Sequence, residues 1–312
     1  MTAREDAGQR GVAPVGRLFE IAHGDQRAVI TEAGASLRVY EVGPRPVVEP
    51  FDGADTVPIG AQGEILAPWP NRTVDGSWRW GSTRHQLSIT EPERGHALHG
   101  LVRTLAWTPV ENGVSRIDLA TTLLAHPGWP FPLQLTVTYA LGPAGLTCRL
   151  MATNIGRARC PYGAATHPYL AIPGGTDEAV LRIPAATWLA TDDRLAPTER
   201  RATAGTPYDF DGSVPVGARE VDNAFTDLER APDGRVEASL RAPDGRTTVL
   251  WGDASVRWWQ LFTGDALPSR WRRAVVALEP MTCGPDALNT GDDLAVLDPG
   301  ETHRMTWGLR LM

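Results

Sequence analysis

Residues 133–153, LQLTVTYALGPAGLTCRLMAT, decide the fold class. Leu133, Leu135, Val137, Tyr139 and Leu141 fall on every second position, with Gln134, Thr136 and Thr138 between them, which is the period of a half-buried β-strand. Gly142-Pro143-Ala144-Gly145 supplies turn chemistry, and Leu146 to Thr153 returns as a second alternating strand. Val114 to Leu124 precedes them with the same pattern, so the spacing predicts a broad antiparallel sheet.

The same reading extends in both directions. Upstream, Arg17 to Ala22, Arg27 to Thr31 and Ser36 to Val42 form a meander punctuated by Gly24 and Gly34, and Trp78 to Trp80, Gln86 to Thr90 and Val102 to Val110 read as further strands. Downstream, strands are expected at Cys160 to Ala165, Arg235 to Arg241, Thr247 to Trp251, Ser255 to Thr263 and His303 to Leu311, with Pro-Asp-Gly turns at 232–234 and 243–245. Arg194 to Asp222 lacks apolar periodicity and is expected to wander over the surface. The 26 prolines and 32 glycines are spread so evenly that few windows could hold three helical turns. The expectation is an all-β chain, with large antiparallel sheets in one domain over residues 17–312 and a short disordered lead over residues 1–16.

Composition excludes several function classes. The net charge of -7 argues against a nucleic-acid partner, which needs a basic surface to displace counterions. No lysine occurs in the chain, which removes Schiff-base catalysis, pyridoxal phosphate anchoring and a Walker A phosphate site. Cys148, Cys160 and Cys283 are odd in number and form no CxxC pair, so they read as reduced, mostly buried thiols rather than a disulfide or zinc framework. There is no apolar run of membrane-spanning length and no apolar core to a signal peptide, so no membrane partner and a cytoplasmic location are expected. A β protein of this size could be a monomer or a homodimer.

The chemistry concentrates at polar residues placed beside prolines at strand ends. Val275 to Leu278 lead straight into Glu279-Pro280, which puts a carboxylate at the end of a buried strand, as either a structural partner or a proton-transfer group. Pro68 and Pro70 hold Asn71 and Arg72 on a rigid extended loop. His167 precedes Pro168, while His99 and Asp222 lie at the junctions HG and VDN. Taken singly, each has an ordinary structural explanation in a turn, a hydrogen bond or an ion pair.

With their flanks, these residues resemble the aldose 1-epimerase (galactose mutarotase) family. The matching text is APWPNR at 67–72, ALHGLVR at 97–103, THPYL at 166–170, VDNAF at 221–225, WWQLFTG at 258–264, and ALEPMTCGPDALNTGD from Ala277 followed by LDPGE. The resemblance implies an antiparallel β-supersandwich, no metal or organic cofactor, and a small aldose sugar as the molecule bound. It implies Glu279 as general base and His167 as general acid, with Arg72, His99, Asp222, Asn71 and Gln260 binding the sugar. Trp69, Trp258 or Trp259 could face the apolar side of a pyranose, and strand alternation puts only one of Trp258 and Trp259 on the cleft side. Leu101 after His99-Gly100, and Pro280 to Cys283 after Glu279, are similar to a bacterial subgroup typified by mutarotase-like proteins of sulfosugar operons. Glucose, galactose, a sulfonated hexose and other aldoses all remain open.

Three other readings compete. His96, His99, His167 and Glu279 could form a metal site, against which stands the lack of the HxH pair usual for strand-borne sites. A non-catalytic carbohydrate-binding protein would keep the same fold and cleft. An epimerase of a hexose 6-phosphate could use Arg270, Arg272 and Arg273, a cluster that equally suits a solvated strand entry.

Overall fold

The computed structural model describes residues 12–51, 58 and 60–312. Two large sheets dominate these residues, one of nine strands and one of twelve, and every strand pairing within them is antiparallel. The nine-stranded sheet is built on the stretch quoted at the outset. Strands Leu133–Gly142 and Gly145–Asn154 pair with Leu141 opposite Leu146, Tyr139 opposite Cys148 and Val137 opposite Leu150. Buried and half-buried positions alternate without exception along Leu133–Gly142 because one face meets the core and the other meets water. A one-residue slip would turn the whole apolar set outward, so burial fixes this register.

The twelve-stranded sheet begins with the predicted meander, Leu18–His23, Gln26–Thr31 and Leu37–Val42. Its centre places Tyr169–Ala171, Val275–Met281, Trp258–Phe262, Asp222–Leu228 and Ala185–Thr191 side by side in that order. One core joins the two sheets: Leu135, Val137, Tyr139 and Trp307 from the first meet Phe225, Trp259, Leu261, Val276 and Leu278 from the second. The Tyr139 hydroxyl donates to the Ala35 carbonyl at 2.8 Å and ties the layers together. Burying a side chain of this size contributes about 1.5–3 kcal/mol, so the shared core outweighs any single polar contact in the molecule.

All seven residues of Val275–Met281 are buried. Val276 and Leu278 face the other sheet, whereas Val275, Ala277 and Met281 pack on the opposite side in small clusters with Tyr169, Trp271, Leu66 and Trp258. Glu279 has the parity of the second set. Loops cover that outer face, which is why the strand reads as a continuous apolar run rather than an alternation.

Several expectations need correction. The segment Gln86 to Thr90 is not a strand: the strand is Thr83–Gln86, paired with Ser77–Trp80 around Gly81 at φ 57°. Val102 opens a 3-10 turn, Val102–Thr104, and the strand begins only at Thr108. Within Arg194 to Asp222, Pro197–Ala202 is a strand at the sheet edge, and exposure of nearly all of its residues removes the apolar pattern that would have revealed it. Asn71 is not extended but left-handed, φ 53°. Of the predicted lead, residues 1–11 lie outside the described residues, while Val15 is buried and its carbonyl accepts from the Ala33 N–H. All three cysteines are free and buried. No helix among the described residues is long and apolar enough to cross a membrane.

Candidate active site

Strand register brings the two principal candidates together. Ala165 is opposite Met281, and Tyr169 is opposite Ala277, so the intervening His167 is directly across from Glu279. Pro168 has no N–H for the ladder and lets His167 depart from regular pairing. The His167 Nε2 and Glu279 Oε1 atoms are 3.2 Å apart, with both side chains almost fully buried. On the other flank of Glu279, its cross-strand neighbour is Gln260.

The polar row continues from there. Gln260 Nε2 donates to Asp222 Oδ1 at 2.6 Å, and Asp222 Oδ2 is 3.7 Å from Arg72 Nη2. Arg72 is held from behind by Glu91 through a two-pronged pair, Nε to Oε2 at 2.8 Å and Nη2 to Oε1 at 3.0 Å. His99 enters from a separate loop and meets His167 edge to face, ring centres 5.3 Å apart. Its backbone N–H donates to the Asn71 carbonyl at 2.9 Å. The next residue, Gly100, has φ 70°, and a Cβ there would come within 2.1 Å of the Ala67 carbonyl oxygen, so only glycine fits. Asn71 joins the group through its backbone, while its side-chain Oδ1 accepts from the Arg72 N–H at 2.8 Å.

Burial governs the electrostatics. It pushes the Glu279 carboxyl well above the usual carboxylate range, the Asp222 charge adds to the shift, and Arg72 opposes it. Burial drives the His167 imidazole down to about 3, partly offset by its own backbone carbonyl, with the Arg103 charge lowering it further. His99 is lowered by burial first, then by His167, Arg103 and Arg72. Burial raises Asp222 against the pull of Arg72 and Gln260. Desolvation thus favours the neutral forms of both Glu279 and His167, and their single contact can share one proton.

Four buried polar atoms in this group have no protein hydrogen-bond partner: His99 Nδ1, His167 Nδ1, Gln260 Oε1 and Glu279 Oε2. Unmade buried hydrogen bonds cost about 1–3 kcal/mol each, so the arrangement suits a ligand rich in hydroxyl groups. A cavity of about 410 Å³ opens beside Asp222, walled by Trp188, Tyr208, Asn223 and Phe262. A second cavity of about 410 Å³, walled by Arg200, Asp227, Arg257 and Asp293, shares no residue with the predicted set.

The competing readings fare differently. His96 cannot join a metal site with its rings as placed, because Nδ1 accepts from the Asp75 N–H at 3.3 Å and Nε2 meets the Arg194 carbonyl at 2.9 Å. Among the described residues, no group of three or more His, Cys, Asp or Glu side chains is arranged to hold a metal ion. Arg273 of the arginine cluster is committed to Asp177, Asp265 and the Gly217 and Arg219 carbonyls. The tryptophan expectation needs amending. Trp258 does share the face of Gln260 and Glu279, but Gly284 and the Arg200 guanidinium cover it, and Trp69 and Trp259 are buried in the core.

The sequence profile of the aldose 1-epimerase family matches residues 17–310. The chain belongs to the aldose 1-epimerase family. Among curated relatives of this family member is the uncharacterised protein YihR of Escherichia coli strain K12, 29% identical over 94% of this chain and 93% of its own. The solved GalM/aldose epimerase homologue of C. elegans superposes with a TM-score of 0.85 at 17% identity, covering 95% of this chain and 98% of that one. The galactose 1-epimerase of Lactobacillus acidophilus gives 0.80 at 16% identity, covering 95% and 94%. These superpositions show that the family member has the galactose mutarotase-like sandwich.

Sequence reasoning overlooked Glu91, Glu64, Arg103 and Tyr169. Glu91 precedes Pro92, the same carboxylate-before-proline signal that singled out Glu279. Tyr169 stacks on His167 with ring centres 4.9 Å apart, and it lay within the quoted THPYL text. Glu64 carried no local signal, since its importance comes only from what it touches.

Proposed function

We propose that this family member interconverts the α and β anomers of an aldohexose, with Glu279 as base and His167 as acid. The observation that carries the reading is the buried Glu279–His167 contact at 3.2 Å at the end of a polar row leading through the partly exposed Asp222 to Arg72. The pair holds one proton. With that proton on His167 Nε2, the carboxylate takes the proton of the sugar O1 hydroxyl while the imidazolium gives its proton to the ring oxygen. The C1–O5 bond breaks and C1 becomes an aldehyde. Rotation about C1–C2 presents the other face, and reclosure returns the O5 proton to His167 and the Glu279 proton to O1.

Every proton in this cycle is supplied or accepted by the two side chains, so the reaction as proposed needs no metal or organic cofactor. Arg72 presents its guanidinium edge to sugar oxygens, with Asp222, Gln260, His99 and Asn71 as further hydroxyl partners. Each of the two proton transfers contributes about 10²–10⁴ in rate.

The test is polarimetry or NMR on freshly dissolved α-glucose, α-galactose and sulfonated or phosphorylated hexoses. Glu279→Gln and His167→Asn should each lower the catalysed rate by about 10² or more without unfolding the protein. Wild-type rates in both variants would end this assignment. Sugar binding without any rate enhancement would identify a carbohydrate-binding protein on the same scaffold.

A further inference from the structure

The segment 63–67 contacts His167 directly and holds the loop that carries His99. Its backbone clamps His167: the His167 N–H donates to the Glu64 carbonyl at 3.1 Å, and the Gly63 N–H donates to the His167 carbonyl at 2.8 Å. The Ala67 carbonyl accepts from the N–H groups of Leu101 and Val102, which anchors the loop that carries His99. A side-chain link completes the connection. Arg103 Nη1 donates to Glu64 Oε2 at 2.8 Å, with the Glu64 side chain only 5% exposed. The Arg103 backbone is itself boxed in, since a Cβ on Gly34 would approach its carbonyl oxygen to 2.4 Å.

We propose that the Glu64–Arg103 ion pair is a positioning element for the acid/base centre, locking the His99 loop to the His167 strand so that the two imidazoles stay edge to face. This rests on the proposed function for its kinetic consequence, although the geometry itself does not. A buried carboxylate is retained here at a cost, since burial raises the Glu64 pKa even against the pull of Arg103. A well-packed apolar pair would serve stability as well or better. What an apolar pair would not provide is a fixed positive charge near both rings. That charge lowers the pKa of His99 and of His167.

The other groups around His167 are Glu279 across the sheet, Tyr169 stacked on its ring and His99 at its edge. Arg72 acts on His99, and Glu64 and Asp222 both act on Tyr169. Glu64 directly precedes Ile65–Leu66, which pairs with Ala165–Thr166 beside His167, and Arg103 is four residues from His99, so their ion pair bridges the two histidine segments.

The experiment uses the full chain with Glu64→Gln, Arg103→Lys, Arg103→Met and the double variant E64Q/R103M, the last keeping no buried charge should Arg103→Met fail to fold. Imidazole ¹H–¹⁵N spectra report ring contact and titration, and polarimetry reports kcat and KM. E64Q and R103M should both lose the His99–His167 ring contact and lower kcat by about 10- to 100-fold with a smaller change in KM. R103M and the double variant should also raise the His99 titration, because the Arg103 charge that lowers it is gone. R103K should keep both the contact and the titration. Retention of the ring contact and of kcat in E64Q and in the double variant would overturn the proposal, as would loss of the contact in R103K alone. Because the spectra need no turnover, ring effects in a protein inactive on every aldose would refute the proposed function and leave the positioning role standing.

Discussion

Removing Glu91 should loosen the site more than removing any exposed charge. Arg72 and Glu91 are each about 9% exposed at the side chain and share two hydrogen bonds of 2.8 and 3.0 Å. Glu91→Ala leaves the guanidinium buried, with Asp222 at 3.7 Å as its one remaining ion-pair partner among the described residues. Breaking one side of a buried pair costs about 3–5 kcal/mol, most of it the desolvation of the charge left behind. The half-exposed Arg94 also loses Glu91, but such a surface contact is worth only about 0–1 kcal/mol. At roughly 2–4 °C per kcal/mol, the melting temperature should fall by about 6–20 °C. Released from Glu91, Arg72 should swing toward Asp222, so KM for the sugar should rise more than kcat falls. Thermal denaturation followed by circular dichroism measures the first effect, and initial-rate polarimetry across sugar concentrations measures the second. A melting temperature within about 2 °C of wild type together with an unchanged KM would refute the reasoning that Glu91 holds Arg72 in place.

Three further outcomes follow from the same geometry. The folded Glu279 carboxyl has a raised pKa, so ionisation penalises the native state as pH rises above the unfolded value of about 4.3; Glu279→Gln should therefore raise the melting temperature at pH 7, with the gain vanishing below about pH 4. His167 works in the opposite sense, since its pKa falls to about 3: stability is fully present above about 6.5 and declines as pH drops toward 3, and His167→Asn should flatten that acid decline in melting experiments. Gly100→Ala should destabilise the protein by several kcal/mol, of the order expected from a positive φ plus a backbone overlap at the Ala67 carbonyl, and should abolish activity by displacing His99; a soluble, fully active variant would contradict the close approach measured there.

What could be read in advance followed the physics of each element. Leu133–Gly142 was legible because one face is wet and one dry, so its sequence carries a period of two. Pro197–Ala202 was not, because a strand exposed on nearly all positions carries no period at all. The candidate residues could be located by their flanking text, with a proline beside Glu279, His167 and the Asn71–Arg72 pair, and six of the seven, all but the backbone-engaged Asn71, come together through their side chains. Glu64 and Arg103 escaped notice because an ion pair spanning 39 residues leaves no mark in either local sequence, whereas Glu91 carried the carboxylate-before-proline signal and was passed over.

The amino-acid sequence by itself determined the strand periodicity, the all-β class and the residue types available for acid/base chemistry. These are local properties, set by which side chains prefer water at each position. Only the tertiary structure decided that Glu279 faces His167 across the sheet rather than an arginine behind it, and that both are cut off from water. Register is a property of two strands together, and desolvation is a property of everything packed around a group. Neither can be written into the residues that depend on it.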